Sequence, residues 1–225
     1  VPILSYAIVV VAAYLLGSIP TGFLVGKAKG VDIRTMGSKN MGATNVFRVL
    51  GIWPGIFVLI VDALKGFVAV TAVINFYGDL HGYFPRVFGV NGYPDNQHQE
   101  YLGIVAGIAA VLGHNYTCWL KFKGGKGIAT SGGVYIALSP LAVCVAVVAW
   151  IVVLLVTRYV SVASIAAAIA LPATVWFTSD NLLLQIVTTG LGVLAIAKHQ
   201  GNIQRLLNGT ERRFGGKPEI EEAAK

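Results

Sequence analysis

Six almost unbroken apolar stretches alternate with short polar ones along the chain, at roughly 3–25, 53–77, 101–115, 128–156, 160–178 and 182–197. A helix needs about 20 apolar residues, within a range near 17–25, to cross a bilayer. Each stretch therefore reads as a transmembrane helix or part of one. The fourth holds 29 residues and is interrupted by "ALSPLA" around Ser139 and Pro140. It is either one long span or two, and two full crossings do not fit into it at ~1.5 Å of rise per residue. If there are two, the first must be short or begin inside the glycine-rich loop before it. Non-helical backbone at membrane depth is tolerated only around a polar cavity, so two spans predict a recess near Gly124 to Gly133.

Charge chooses between the readings. Cytoplasmic loops of membrane proteins carry the excess of Lys and Arg. With seven spans, 15 of the 17 basic residues fall on one side. These are Lys27, Lys29, Arg34, Lys39 and Arg48 in the first loop, then Lys121, Lys123, Lys126, Arg158 and six in the tail. The other side holds Arg86, and Lys65 lies within a span. With six spans the basic residues divide evenly. The expected fold is therefore all-α and polytopic, about seven helices around a cytoplasm-facing pocket, with the N-terminus outside and the C-terminus cytoplasmic. One integral membrane domain covers 1–225, and 218–225 reads as a flexible cytoplasmic tail. The first segment has no basic n-region and no A-x-A site, so it is expected to be a span and not a cleavable signal.

Composition agrees. The chain of 225 residues is 56% hydrophobic and 12% charged, with a mean hydropathy of +0.72, against about 25% charge in soluble domains. A net charge of +7 suits anionic substrates and lipid headgroups. No exposed basic domain speaks for nucleic acid. Cys118 and Cys144 fit neither a disulfide nor a zinc framework and read as small apolar residues.

Three polar islands interrupt the apolar pattern on the basic side. The first is "GSKNMGATNVFRVLG", Gly37 to Gly51. Gly37 and Gly42 permit close backbone approach; Ser38, Asn40, Thr44 and Asn45 supply hydrogen-bonding groups; Arg48 supplies a forked cation suited to phosphate. The second is "GHNYTCWLKFKGGKGIATSGG", Gly113 to Gly133. There Lys123, Gly124, Gly125, Lys126 and Gly127 precede an apolar helix that carries Thr130 and Ser131 in its first turn. A glycine-rich turn feeding a helix N-terminus makes an anion site. Leu120 stands where a Walker A motif needs its first Gly, and Gly127 where it needs Ser or Thr, so nucleotide binding is not implied. The third is "KHQGNIQRLLNGTERR", Lys198 to Arg213, in which His199 and Asn202 share a helix face if the last helix continues. Taken singly, each has a plainer reading: a solvated turn, a topology-setting loop, a snorkelling helix end. Together they describe a cationic pocket with apolar walls, suited to a substrate with an anionic head and a greasy tail.

Other residues read as structural. Asp62 and Lys65, three apart within the second span, are expected to form an ion pair bracing helices against the pocket. His114 is either a hydrogen-bonding strut or a site residue. The segment 81–100, with His81 and His98, reads as an aromatic interfacial loop on the outer side; Tyr6, Tyr14 and Trp150 read as packing or belt residues. No His/Cys/Asp/Glu cluster has metal-ligand spacing, so neither a metal nor a cofactor is expected. A His followed five residues later by Asp is absent, since those positions hold Arg86, Gly103, Trp119 and Gln204. No G-x-S-x-G elbow is present. The remaining cations and hydrogen-bonding groups suit group transfer between anionic substrates when the leaving group is already good.

Five ordered motifs, "GSIPTGFLVGK", "GSKNMGATNVFRVLG", "DALKG", "GHNYTCWLKFKGGKGIATSGG" and "KHQGNIQRLLNGTE", resemble those of the bacterial membrane-embedded acyl-phosphate:glycerol-3-phosphate acyltransferases, the PlsY-type family. The resemblance covers nearly the whole chain. It implies seven spans and transfer of a fatty acyl group from acyl phosphate to the 1-hydroxyl of sn-glycerol 3-phosphate. The products are 1-acylglycerol 3-phosphate (lysophosphatidic acid) and inorganic phosphate. It also implies a bacterial inner-membrane location and membrane lipid as surroundings. Ser38 and Arg48 match the family's first cytoplasmic motif, with Asn40 and Asn45 beside them. Gly124, Gly125, Lys126 and Gly127 match its glycerol-phosphate loop. His199 and Asn202 match its third motif and Glu211 its structural acid. Arg48 and Lys126 are then expected on the two phosphates. Ser38, Thr130, Ser131 and the glycine-loop amides would hold the donor phosphate or oxyanion. Either His199 or a substrate phosphate would take the proton. The rival readings are a transporter of a phosphorylated anionic solute and a non-catalytic assembly subunit.

Overall fold

The computed structural model describes residues 3–88 and 96–215, with side chains over 4–75 and 99–215. The stretch 89–95 and the tail 218–225 lie outside the described residues. Pro20 separates the first two helices, α1 (Ile3–Ser18) and α2 (Thr21–Ala28). Proline carries no amide hydrogen and its ring clashes with the preceding turn. The two helices still form one apolar stretch long enough to span. A loop then leads into the short helix α3 (Ala43–Leu50), which buries Val46 and Val49 against Ile33 and Met41. Gly51, at φ +91°, ends α3 and α4 (Ile52–Phe88) follows at once. Next come α5 (Asn96–Asn115), a 3₁₀ turn at Cys118–Leu120, α6 (Ile128–Leu138), α7 (Pro140–Thr157), α8 (Val160–Thr178), α9 (Leu182–Lys198) and α10 (Gln200–Leu207).

The apolar stretch 128–156 is thus two helices, parted at Ser139 with Pro140 in the first turn of α7. There the missing amide costs nothing. At 11 residues, α6 is about 16 Å long and covers about half of a ~30 Å hydrocarbon core. Among the described residues, five helical stretches are long and apolar enough to cross, and α9 with α10, bent by 50°, would make a sixth. The half-length α6 is the seventh apolar segment. Most of the segment read as an outer loop, 81–100, is instead helical backbone, since α4 runs to Phe88 and α5 begins at Asn96. A helix bonds its own backbone and can project beyond the apolar core.

Small residues let the helices close on one another, as in other membrane bundles. A methyl group at Gly66 would meet the Thr130 carbonyl, and one at Gly133 the Ala63 carbonyl. Helices α4 and α6 therefore touch backbone to backbone. Gly66 lies about four turns into α4, so the first turn of α6 meets α4 well inside its apolar stretch. Gly17 and Gly113 bring α1 and α5 equally close. Helix α7 packs on α8, and α8 on α9. The space between α4, α6, α7, α8 and α9 stays partly open and holds the site.

Candidate active site

A cavity of about 490 Å³ runs between these helices. Its deeper wall is apolar: Leu59 and Ala63 of α4, Ile136 of α6, Val143 and Val147 of α7, Leu171 of α8 and Leu191 of α9. Its other end is polar and gathers residues from all three islands. Ser38, Asn40, Gly42, Thr44, Asn45, Arg48, Lys126, Gly127, Ser131, His199, Asn202 and Glu211 line it. The predicted juxtaposition of the islands therefore holds in space.

Glu211 organises the polar end. Its Oε1 accepts from Ser161 Oγ at 3.0 Å and Asn202 Nδ2 at 2.8 Å, and its Oε2 accepts from Arg205 Nε at 2.7 Å. The Arg48 guanidinium stands 3.7 Å away and reaches the Arg212 carbonyl at 3.4 Å. Burial alone would raise the carboxyl's pKa. The bonds from Asn202, Arg205 and Ser161 outweigh it and hold Glu211 below the ordinary carboxylate value. With its Nδ2 committed to Glu211, Asn202 turns its Oδ1 to Lys126, whose ammonium donates to it. Lys126 is pushed down to about 8, chiefly by burial, with Arg48 and Arg205 adding repulsion and Glu211 offsetting part of it. Burial likewise lowers the Arg48 guanidinium, which stays a cation at any relevant pH. Three cations around one acid leave positive charge for an anion.

Each predicted residue has a definite place. Asn45 is buried and spends its amide on its own loop: Oδ1 accepts from the Ser38 amide at 2.7 Å, and Nδ2 donates to the carbonyls of Ile33 and Met36 at 2.8 and 3.2 Å. It shapes the loop that presents Ser38. Asn40 Oδ1 accepts from the Gly42 amide at 2.8 Å. The last helix does not continue straight through His199 as the face-sharing argument assumed. It bends there, and His199 and Asn202 reach the same cavity from the two arms. His199 Nδ1 lies 2.8 Å from the Ala195 carbonyl. A carbonyl only accepts, so Nδ1 carries the proton and Nε2 is the basic nitrogen.

The glycine loop differs from its sequence reading. The Gly124 amide donates to the Asn115 carbonyl at 3.2 Å and the Gly125 amide to the His114 carbonyl at 3.0 Å, so neither is offered to an anion. The first turn of α6 opens on the cavity instead. Gly127, at φ +81°, caps it, and Ser131 N–H to Gly127 O at 2.7 Å is the first bond of that turn. The amides of Ile128 to Thr130 precede it and have no helical partner. Lys123 is exposed and stands outside the cavity lining; Gly124, Gly125 and Thr130 lie outside it too. Thr130 is buried against α4 at Gly66, so of the two hydroxyls proposed there only Ser131 faces the cavity.

The expected ion pair is formed, with Lys65 Nζ 2.8 Å from Asp62 Oδ1. Asp62 and His114 line the cavity, and Lys65 stands behind them. Sequence reasoning missed Ser161 and Arg205 as partners of Glu211. Arg205, six residues before Glu211, could have been suspected from charge; Ser161 comes from another helix and carries no signal. Trp150, read as a packing or belt residue, lines the cavity and donates to Ser164 Oγ at 3.3 Å.

The chain is similar to known proteins over nearly its whole length. A family model described as glycerol-3-phosphate acyltransferase matches residues 7–209. The glycerol-3-phosphate acyltransferase of Geotalea daltonii is 44% identical over 210 residues, covering 93% of this chain and 98% of that protein. That of Fusobacterium nucleatum is 41% identical over 209 residues, 91% of this chain and 96% of the relative. Two crystal structures of PlsY (YgiH), an integral membrane glycerol 3-phosphate acyltransferase, superpose on the fold at 38% identity. The glycerol 3-phosphate form has a TM-score of 0.79, covering 98% of this chain and 100% of that one. The lysophosphatidic acid form has a TM-score of 0.76, covering 94% and 96%. The chain is a multi-pass integral membrane protein and belongs to the glycerol-3-phosphate acyltransferase family.

Proposed function

We propose that this protein transfers a fatty acyl group from acyl phosphate to the 1-hydroxyl of sn-glycerol 3-phosphate, releasing 1-acylglycerol 3-phosphate and inorganic phosphate. The observation that carries the proposal is the two-ended cavity: a cluster of cations and open helix amides at one end, an apolar arm at the other. That shape matches a donor with a phosphate head and a hydrocarbon tail, beside an acceptor that is itself a phosphate.

Lys126 and the first turn of α6 take the glycerol 3-phosphate phosphate. Arg48, with Ser38 beside it, takes that of the donor. The acceptor hydroxyl oxygen then attacks the carbonyl carbon. The carbon–oxygen bond to phosphate breaks, and phosphate leaves with the electron pair. The hydroxyl proton passes to His199 Nε2 or to a phosphate oxygen. The protein's work is charge compensation and alignment, since phosphate is already a competent leaving group. No metal or cofactor is called for. Ser38 serves as a hydrogen-bonding group in a direct transfer. We place the protein in a bacterial inner membrane with its N-terminus outside and the cavity on the cytoplasmic side, because 15 of the 17 basic residues then face the cytoplasm. With the family established, the transporter reading has no finding behind it.

The test is turnover by purified protein given palmitoyl phosphate and glycerol 3-phosphate, without CoA or added metal. Equimolar release of inorganic phosphate and formation of lysophosphatidic acid is expected. Turnover with palmitoyl-CoA and none with palmitoyl phosphate would overturn the donor assignment.

A further inference from the structure

Asp62, Lys65 and His114 take no part in the steps above, yet all three are buried between the helices, only 2%, 4% and 3% exposed. Ionisable groups within a membrane are costly and by default suggest function. We propose that these three residues are a positioning device that holds the 124–127 loop, and with it Lys126, at the polar end of the cavity.

The case begins with the Lys65 ammonium. It has three hydrogens and no lone pair, and it has three partners: Asp62 Oδ1 at 2.8 Å, His114 Nδ1 at 2.8 Å and the Ile19 carbonyl at 3.2 Å. Because Lys65 can only donate, His114 Nδ1 must accept. The ring is therefore neutral, with its proton on Nε2, and its plane is set by the lysine. Asp62 balances the lysine, so the cluster presents no spare charge to a ligand. The Ile19 carbonyl lies in the break between α1 and α2 beside Pro20. The cluster thus joins that break to α4 and α5.

The same histidine meets the loop twice. Its carbonyl accepts from the Gly125 amide at 3.0 Å. Its ring packs so closely on Gly125 that an added methyl group there would meet Nε2 and its neighbouring ring carbons. Gly124 is tied to the adjoining Asn115 carbonyl at 3.2 Å, and Lys126 follows directly. Ring orientation at His114 is thereby coupled to the loop and to the ammonium it carries. Gly125 then matters because a side chain would displace His114, not because an anion touches its amide.

The experiment uses the full chain in nanodiscs and the variants His114→Gln and His114→Asn. The shorter Asn amide keeps an acceptor near the Nδ1 position, within reach of Lys65; the longer Gln amide places its polar group near Nε2 and releases Lys65. Hydrogen exchange at the Gly124 and Gly125 amides is read without substrate. Expected for His114→Gln is exchange faster by about tenfold, the scale of one lost bond to a charged group. The KM for glycerol 3-phosphate should rise by about the same factor, with kcat changing by less than about threefold. His114→Asn should stay near wild type in both. Unchanged exchange and KM in His114→Gln, with only less folded protein recovered, would reduce the cluster to a structural brace and overturn the proposal. So would an Asn variant as impaired as the Gln variant. The KM comparison rests on the acyltransfer reading and the exchange measurement does not. A wild-type protein without turnover would therefore sink that reading while exchange alone decides this one.

Discussion

Two polar networks border one cavity in an otherwise greasy protein, and they are built to opposite rules. Around Glu211 stand Arg48, Arg205 and Lys126, three cations to one carboxylate, at the mouth of a cavity. Around Lys65 stand Asp62 and a neutral His114, charge-balanced and buried. A balanced cluster has satisfied its own members and has nothing left for a ligand. An unbalanced one keeps positive charge to offer an anion. Surplus charge, more than the mere presence of charged residues in a membrane, separates a binding site from a cluster that only positions its neighbours.

The contrast is most easily broken by removing one lysine from each network. Lys126→Ala should lower kcat/KM by about 10²–10³-fold, the scale of a lost electrostatic contact to the reacting groups, while thermal stability in detergent hardly changes. Lys65→Ala strands a buried aspartate and should cost about 3–5 kcal/mol of stability, read as a lower melting temperature and poor recovery. If the two variants exchanged phenotypes, the division between binding site and positioning cluster would be wrong.

A gentler probe is pH. Lys126 is held at about 8, so it is a cation below that value and loses its charge as pH rises through it. The kcat/KM profile, which reports the free enzyme, should therefore fall on its basic side near pH 8. Bound phosphate favours the charged form, so the fall in kcat should come at higher pH. A basic limb of kcat/KM at the ordinary lysine value would mean that Lys126 is solvated and not held in the site. The smallest effect is expected at Lys123. It is exposed and outside the cavity lining, so Lys123→Ala should leave both stability and turnover within about 0.5 kcal/mol of wild type. A large loss of activity there would draw the boundary of the site too tightly.

Much of this was legible in the chain. Apolar run lengths located the spans. The count of basic residues demanded a break in the stretch 128–156, and Ser139 and Pro140 are where it falls. The same count put three polar islands together before any contact was known. Less legible was the extent of α4 and α5 into 81–100, where apolar run length stops being informative although backbone bonding continues. Within the site, the residue types were readable and their employment was not. Asn45 resembles a ligand-binding amide until its three loop bonds are seen. Gly124 and Gly125 resemble an anion cradle until their amides are found tied to α5.

Sequence alone determined that the protein lives in a membrane, where along the chain its charge gathers, and which residues were candidates to meet a phosphate. Those are properties of composition and order, set by the cost of moving each side chain between water and lipid. Tertiary structure alone decided which of those groups remain free. A hydrogen bond is spent by whatever neighbour folding brings within 3 Å, and Ser161 on Glu211, or His114 on Lys65, are neighbours that no local pattern along the chain encodes.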